Sequence, residues 1–423
     1  MPSRTQSDAS EPLVWLLMGN RAGDNSQVQG LGEALGWPLV EKHFVYSRHE
    51  KLVNLPFGAH LLGVVKERSS ALEPPWPDLV ISAGRKNEPI ARYIRARAAK
   101  DLGKRQNAAP GKQVRLIHVG RPWAKPSTWD LVITTPQYRL PRDPNILHNE
   151  TPLHRVTRAR LDEAARAWQA RAAELPRPHI AVLAGGNSGP YPFNRASGER
   201  LARELNQLVA ELGGSLLVTT SARTLDESTE ALFDGIAAPS ILYRWKRGDP
   251  DNPFFAFLGL ADRVVVTADS VSMMTEACAT ERPVYLYDTG EGITSMKHNP
   301  WLDGASGSGD VAGETGSSAF DRWHLKAWIY RLTMRLGPQR LTRDIRIVQQ
   351  LLVDSERAIW LGDGHPKGLP RPLDDMPRAV ARVRALFPGQ EPGQEPEQDP
   401  GREIPEHEVA GRAGSRDPVA AAR

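Results

Sequence analysis

The chain has 423 residues, 40% of them hydrophobic and 25% charged, with a formal net charge of +4. That length allows two or three domains, and the composition is that of a soluble globular protein. The single cysteine, Cys278, excludes an internal disulfide and a multi-cysteine metal site, and the mild charge, without a zinc-finger, RNP or basic-helix pattern, argues against a nucleic-acid partner.

Residues 1–12 lack the apolar core of a secretory signal and are expected to be disordered; no apolar run is long enough to span a bilayer, so a cytoplasmic protein is expected. A first α/β domain is expected over residues 13–155. LVWLLM at 13–18 reads as a buried strand, and the loop GNRAGDN leads into a helix over Gln27–Leu35, which puts Gly19, Asn20 and Gly23 in a tight loop facing a helix N-terminus. Further strands are expected at Leu39–Tyr46, Asp78–Ser82, Arg115–Val119 and Asp130–Thr134. Helices are expected at His60–Glu67 and Ile90–Lys100, the second with Asn87 as N-cap and Pro89 in its first turn. Arg85, Lys86, Arg92, Arg95 and Arg97 read as a basic face that would dock on anionic lipid.

A second α/β domain is expected over residues 156–322. It begins with a helix, Thr157–Leu175, and a strand, His179–Ala184, then alternates helix Ser197–Leu212, strand Ser215–Thr220, helix Thr224–Ile236, strand Ser240–Trp245 and helix Pro253–Leu260. ADRVVVTADSVSMMTEACATERPVYLYDTG then reads as strand Val264–Thr267, a turn at Ala268-Asp269-Ser270, helix Val271–Thr280 and strand Val284–Tyr287, a βαβ unit with Cys278 buried in its helix. Residues 303–319 are Gly/Ser-rich. Helices at Trp323–Leu336 and Ile345–Ala358 fall within residues 323–388, expected to cross back and brace the first domain, and the Pro/Glu/Gln-rich residues 389–423 are expected to be a disordered tail.

Ligands of parallel α/β sheets bind at the carboxyl ends of the strands. Four loops of the second domain share that edge and have a complementary inventory. Gly185 and Gly186, followed by Asn187 and Ser188, would bring backbone N–H groups close to a pyrophosphate, while Ser221 and Arg223 add a hydroxyl and a cation. The backbone near Tyr243–Trp245 would read a base, and Trp245 is counted with the donor-binding residues. Ser270 and Ser272 sit at the helix N-terminus, and Glu276 lies one turn on, where a carboxylate accepts both hydroxyls of a ribose. The pattern points to a nucleotide site. In the first domain Asp24, Glu88 and His118 sit at strand ends as candidate general bases, with Glu88 and Asp24 preferred. Asp249-Pro250-Asp251 is explained by a turn with Asn252 as N-cap and Pro253 at the first helical position, so no metal is expected there.

The motifs GNRAGDNSQVQGL, SAGRKNEPIA, HVGRPW (which contains Arg121), DLVITTPQY, LAGGNSGPY, TTSART and TADSVSMMTEA resemble the mitochondrial-fission ELM (elongated mitochondria) family and its bacterial homologues, across most of residues 13–290. A more distant likeness is to lipid-A-disaccharide synthase and to the enzyme that adds the sugar of lipid II. These resemblances imply two doubly wound Rossmann-like α/β domains facing a cleft, the GT-B type. They imply a uridine diphosphate held by the GG-N-S loop and Glu276, an acceptor-activating carboxylate in the Glu88 loop, and Gly19, Asn20, Gly23 and Arg121 on the acceptor side. The function implied is sugar transfer from a nucleotide-sugar donor, used as substrate with no resident cofactor, to a lipid-linked or cell-envelope acceptor at the inner membrane face. The alternative implied by plant members is a membrane-associated, non-enzymatic adaptor.

Overall fold

The computed structural model describes residues 11–47, 58–103, 113–189, 191–291, 295–297 and 343–388. The expected elements at 303–319 and Trp323–Leu336, and the tail at 389–423, lie outside the described residues.

Among the described residues twelve strands form two six-stranded sheets, and every pairing of those strands is parallel. In the first, β1 (Val14–Met18), β2 (Leu39–His43), β3 (Leu79–Ala83), β4 (Arg115–Val119), β5 (Leu131–Thr134) and β6 (Ile146–His148) lie in the order β2-β1-β3-β4-β5-β6. The second contains β7 (His179–Leu183), β8 (Ser215–Thr219), β9 (Ser240–Tyr243), β10 (Arg263–Thr267), β11 (Val284–Tyr287) and β12 (Ile359–Trp360), ordered β12-β11-β10-β7-β8-β9. The central strands β1, β3, β7 and β8 are buried along their whole length. Helices cover both faces of such strands, which explains their unbroken apolar runs in place of an alternation. This is the two-domain, doubly wound architecture of the GT-B type.

In each sheet the direction of strand addition reverses once, between β1 and β3 in the first and between β7 and β10 in the second. The loops on either side of such a reversal diverge and leave a crevice at the strands' carboxyl ends. The helix α1 (Ala22–Leu35) follows β1, and α2 (Glu88–Gly103) follows β3. In the second domain α3 (Arg158–Ala172) leads into β7, α4 (Arg195–Leu212) follows it, and α5 (Asp226–Gly235) and α6 (Phe254–Leu260) follow β8 and β9. The helix α7 (Val271–Cys278) follows β10.

Three differences from the sequence reading have physical causes. α1 begins five residues before Gln27, because the Asn25 side chain both accepts from the Gly19 N–H (2.9 Å) and donates to the Gly19 carbonyl (3.0 Å), closing the loop against the first turn. His60–Glu67 is not a helix: Ser47 N–H donates to Gly63, Val65 N–H to Val45, and Tyr46 bridges Val64, so this stretch runs antiparallel to the chain after β2, with only a 3-10 turn at Lys66–Arg68. Of the C-terminal helices, α8 (Arg346–Asp354) buries Val348 and Leu352 in the second domain's core, whereas α9 (Asp375–Arg384) buries Ala379 and Val383 beside Val28 and Leu31 of α1. The Asp375 carboxylate anchors α9 by accepting from the Glu150 and Thr151 N–H groups at 2.9 and 2.8 Å.

Candidate functional site

The two crevices face each other. α1 and α7 start at the two reversal points and approach N-terminus to N-terminus: a Cβ at Gly23 would lie 3.3 Å from the Ser272 hydroxyl, and Ser26 Oγ is 3.4 Å from Glu276 Oε1. Glu276 is buried, and that burial pushes its carboxyl up to about 7, against the opposing pulls of the Ser26 hydrogen bond and of Arg155. At neutral pH this carboxyl is poised between its two protonation states.

On the second-domain side the loop after β7 is tied down by a residue that the sequence reading treated only as a turn. Asp269, fully buried, accepts from Thr267 Oγ1 at 2.7 Å and from the Gly186 N–H at 3.1 Å, and pairs with Arg223 at 3.0 Å. Burial raises its carboxyl, while Arg223, Thr267 and the Gly186 N–H draw it back. The Gly185 N–H donates to Thr267 Oγ1 at 2.7 Å. The two glycine N–H groups assigned to a pyrophosphate are therefore already spent inside the domain. The glycines serve close packing: a Cβ on Gly185 would run into the Asp269 carboxylate, and one on Gly186 into the Arg223 carbonyl. Asn187 Oδ1 accepts from Phe193 N–H, and Ser188 N–H donates to the Tyr191 carbonyl. Ser221 and Thr224 form a hydroxyl-closed turn, with Thr224 Oγ1 also donating to the Gly185 carbonyl. The Trp245 N–H goes to Thr220 Oγ1 at 2.9 Å.

What faces the cleft from this side is the start of α7, where Ser270 occupies the N-cap position but makes no side-chain cap. First-turn N–H groups without a capping acceptor suit an anion. Arg223, whose Nη1 also donates to the Asn187 carbonyl at 3.2 Å, stands at the same edge. Tyr243 donates to Asp249 at 2.7 Å and Asp251 N–H donates to Asp249 at 3.0 Å, so Asp249 is committed to its own turn.

On the first-domain side the two preferred carboxylates part company. Both oxygens of Glu88 are occupied by backbone, accepting from Trp123 N–H (2.7 Å) and Ala124 N–H (3.0 Å). Burial pushes this carboxyl up to about 7 although both hydrogen bonds and Arg92 oppose it. Glu88 thus holds the Gly120–Ala124 loop. His118 packs on Trp129 at 4.7 Å between centroids, and burial holds its imidazole down to about 3, so it is neutral. Asp24 lies in the first turn of α1, its Oδ2 2.7 Å from where a Cβ on Gly84 would be, and burial raises its carboxyl against Arg21 and Arg343. It stands at the β1/β3 reversal, in the first turn of the helix whose Gly23 and Ser26 meet Ser272 and Glu276. Asn87 precedes α2 as expected, but its side chain donates to the carbonyls of Leu17 (2.9 Å) and Ala83 (3.1 Å) and accepts from the Tyr46 hydroxyl, tying the ends of β1 and β3 together. Gly19 borders Asn87, Asn20 is exposed at the loop tip, and Arg121 stacks over Tyr138.

Two cations of the basic face expected on α2 are engaged within the first domain. Arg95 pairs with Asp130 at 3.2 Å and donates to the Thr128 carbonyl, and Arg92 donates to the Glu88 carbonyl. Arg97 is exposed on the helix, and Arg85 and Lys86 lie ahead of it, stacked on Trp123 and Tyr46.

The family model described as "Mitochondrial fission ELM1" matches residues 22–303. The chain belongs to this family. All the donor-side residues, and Asp24, Glu88 and Arg121, fall inside the matched range, while Gly19 and Asn20 precede it. Within the ELM1 family, the mitochondrial fission protein ELM1 of Arabidopsis thaliana is 29% identical over 238 residues, covering 54% of this chain and 55% of that protein, so the chain spans about half the length of this curated relative. A glycosyltransferase from Rickettsia africae ESF-5 overlays with a TM-score of 0.40 and 10% identity, over 90% of this chain and 100% of that one. A Methanocaldococcus jannaschii UDP-GlcNAc 2-epimerase in complex with UDP-GlcNAc and UDP overlays with a TM-score of 0.39 and 11% identity, over 89% and 93%. Neither overlay is close enough to bear on the reaction of the ELM1-family chain.

Proposed function

We propose that this chain is a GT-B-type glycosyltransferase that moves a sugar from a nucleoside diphosphate donor, uridine diphosphate in the first instance, to an acceptor hydroxyl. The observation that carries this reading is the apposition of two sheet-reversal crevices, one presenting Asp24 and the other Glu276 and the start of α7. The ionised Glu276 accepts both ribose hydroxyls, and the diphosphate lies against the first turn of α7. Arg223 exchanges Asp269 for a phosphate oxygen. These are fixed partial and full positive charges aimed at the place where negative charge develops as the diphosphate leaves. Asp24 takes the proton of the acceptor hydroxyl as its oxygen bonds to the anomeric carbon and the bond to the diphosphate breaks. A positioned base of this kind contributes about a hundred- to ten-thousand-fold.

A second reading is favoured by one observation, the saturation of the Gly185–Ser188 loop by internal hydrogen bonds: a transferase scaffold retained as a membrane-associated adaptor. Thermal melts with a panel of nucleoside diphosphates separate the two. The transferase reading expects UDP at a hundred times its Kd to stabilise the fold by about 2.7 kcal/mol. No stabilisation by any nucleoside diphosphate would leave the adaptor. Among the described residues no helix is long and apolar enough to cross a membrane, so any attachment to one in either reading is a proposal.

A further inference from the structure

The N-terminal turns of α1 and α7 do more than face each other; they touch. Ser26 of α1 donates to Glu276 at 3.4 Å, and a Cβ on Gly23 would stand 3.3 Å from the Ser272 hydroxyl. Glu276 is 7% exposed, and its hydrogen-bond partner comes from the other domain. Ser272 and Glu276 are where the proposed diphosphate and ribose lie. Neither group fits between surfaces that already meet at hydrogen-bond and van der Waals distance. Among the described residues α1 and α7 share this one side-chain hydrogen bond, with glycine and serine beside it, so the contact costs little to part.

The chain passes between the domains at residues 150–157 and again at 357–375, and these two crossings are fastened to each other. Arg357 donates to the Glu150 carboxylate at 2.8 Å and to the Arg371 carbonyl at 3.3 Å, while Asp375 holds the Glu150 and Thr151 N–H groups. They lie towards the other ends of the same two helices. A Cβ on Gly30 of α1 would collide with the His154 carbonyl, and Cys278, the last residue of α7, has its Sγ 3.8 Å from the Arg357 carbonyl. Paired crossings at one end and a thin contact at the other are the build of a hinge and its mouth.

We propose that α1 is the protein's own plug for the nucleotide site: the domains rest closed, with Gly23 and Ser26 on Ser272 and Glu276, and a nucleoside diphosphate binds only the form in which they have swung apart. This rests on the transferase reading and adds an autoinhibited state to it. Arg343 and Asp344 also reach Gln137 of the first domain, at 2.7 and 3.1 Å, and this tether bounds the opening. The apparent affinity for UDP is then that of the open form reduced by its population, so a change that favours closing weakens binding and one that favours opening tightens it. A closed form that itself bound UDP would reverse both signs.

The test measures UDP affinity of the full chain by calorimetry with the mouth locked and with it wedged. Gly23→Cys with Ser272→Cys puts two thiols within disulfide reach, and the one native thiol, Cys278, is fully buried. The oxidised pair is expected to bind UDP about ten-fold or more weakly than the same chain after reduction, the substitutions being common to both samples. Ser26→Leu, too large for the closed contact, is expected to bind UDP about three-fold or more tightly than the parent. Should the cysteine pair fail to fold, Ser26→Leu decides alone. A cross-linked chain that binds as well as the reduced one, thiols that do not cross-link without nucleotide, or Ser26→Leu binding no better than the parent overturns the inference, and UDP binding by the parent then leaves the transferase reading standing. If neither the parent nor Ser26→Leu binds UDP, the transferase reading falls and takes the inference with it.

Discussion

Glu276→Gln should make this protein more stable and worse at binding UDP, and the two effects have different pH dependences. In the folded chain burial lifts the carboxyl from the ordinary 4.5 to about 7, so between those values the folded state holds a proton that the unfolded chain has released. Stability linked to this group therefore falls as pH rises from 4.5 to about 7, and stays at its low level above that. The full span corresponds to roughly 3 kcal/mol, an upper bound because relaxation of the domain interface relieves part of it. Gln has the same shape without the charge. Denaturant unfolding should show the variant equal to the parent near pH 5 and more stable at pH 8 by about 1–3 kcal/mol. UDP affinity should move the other way, losing roughly 2–4 kcal/mol, or thirty-fold and more at pH 8, because the ionised form is the one that accepts both ribose hydroxyls. Phosphate analogues without a ribose should be indifferent to the change. A variant destabilised equally at pH 5 and pH 8, or one that binds UDP as tightly as the parent, would refute the argument.

Asp24→Asn should leave UDP affinity intact and lower the transfer rate about a hundred-fold or more, and the parent rate should fall with acidity at a pH above the ordinary aspartate value of 3.8, as read from a pH–rate profile. Gly186→Ala drives a methyl into the Arg223 backbone carbonyl, which cannot swing aside like a side chain, so a loss of about 1–3 kcal/mol in urea unfolding is expected; an unchanged midpoint would show that the loop yields. Glu88→Ala removes the acceptor of two backbone donors and should cost about 1–3 kcal/mol while opening the Gly120–Ala124 loop to proteolysis, with UDP affinity unchanged; a protease-resistant variant would contradict the anchoring role.

The strands were legible because central parallel strands are apolar on both faces. The expected strands at 13–18 and Val264–Thr267 lie within one residue of the observed Val14–Met18 and Arg263–Thr267. Short elements at sheet edges were not. Ile146–His148 and Ile359–Trp360 are three and two residues long, and they exist only because β5 and β11 offer an open edge to pair with. The stretch His60–Glu67 misled for a related reason. Its apolar residues suit a helix locally, but the chain after β2 leaves hydrogen-bonding groups that Val65 and Ser47 satisfy across an antiparallel contact.

The candidate site divides along the same line between local pattern and long-range pairing. That Gly185, Ser270 and Glu276 belong to one edge follows from strand–loop–helix order, which a sequence displays. That Asp269 commands this edge does not, because its partners Thr267, Gly186 and Arg223 come together only when β10 has been placed beside β7. The same holds across the cleft, where Asp24 and Glu88 are equivalent candidates by position and unlike by environment. Glu88 reaches back to a loop 35 residues on and spends both oxygens there. Asp24 lies against Gly84, where the absence of a side chain leaves room for its carboxylate. A base must keep an oxygen for its substrate. On that criterion Asp24, and not Glu88, is the proton acceptor of the proposed transfer, while the conspicuous acid at the start of α2 holds the neighbouring loop that contains Arg121.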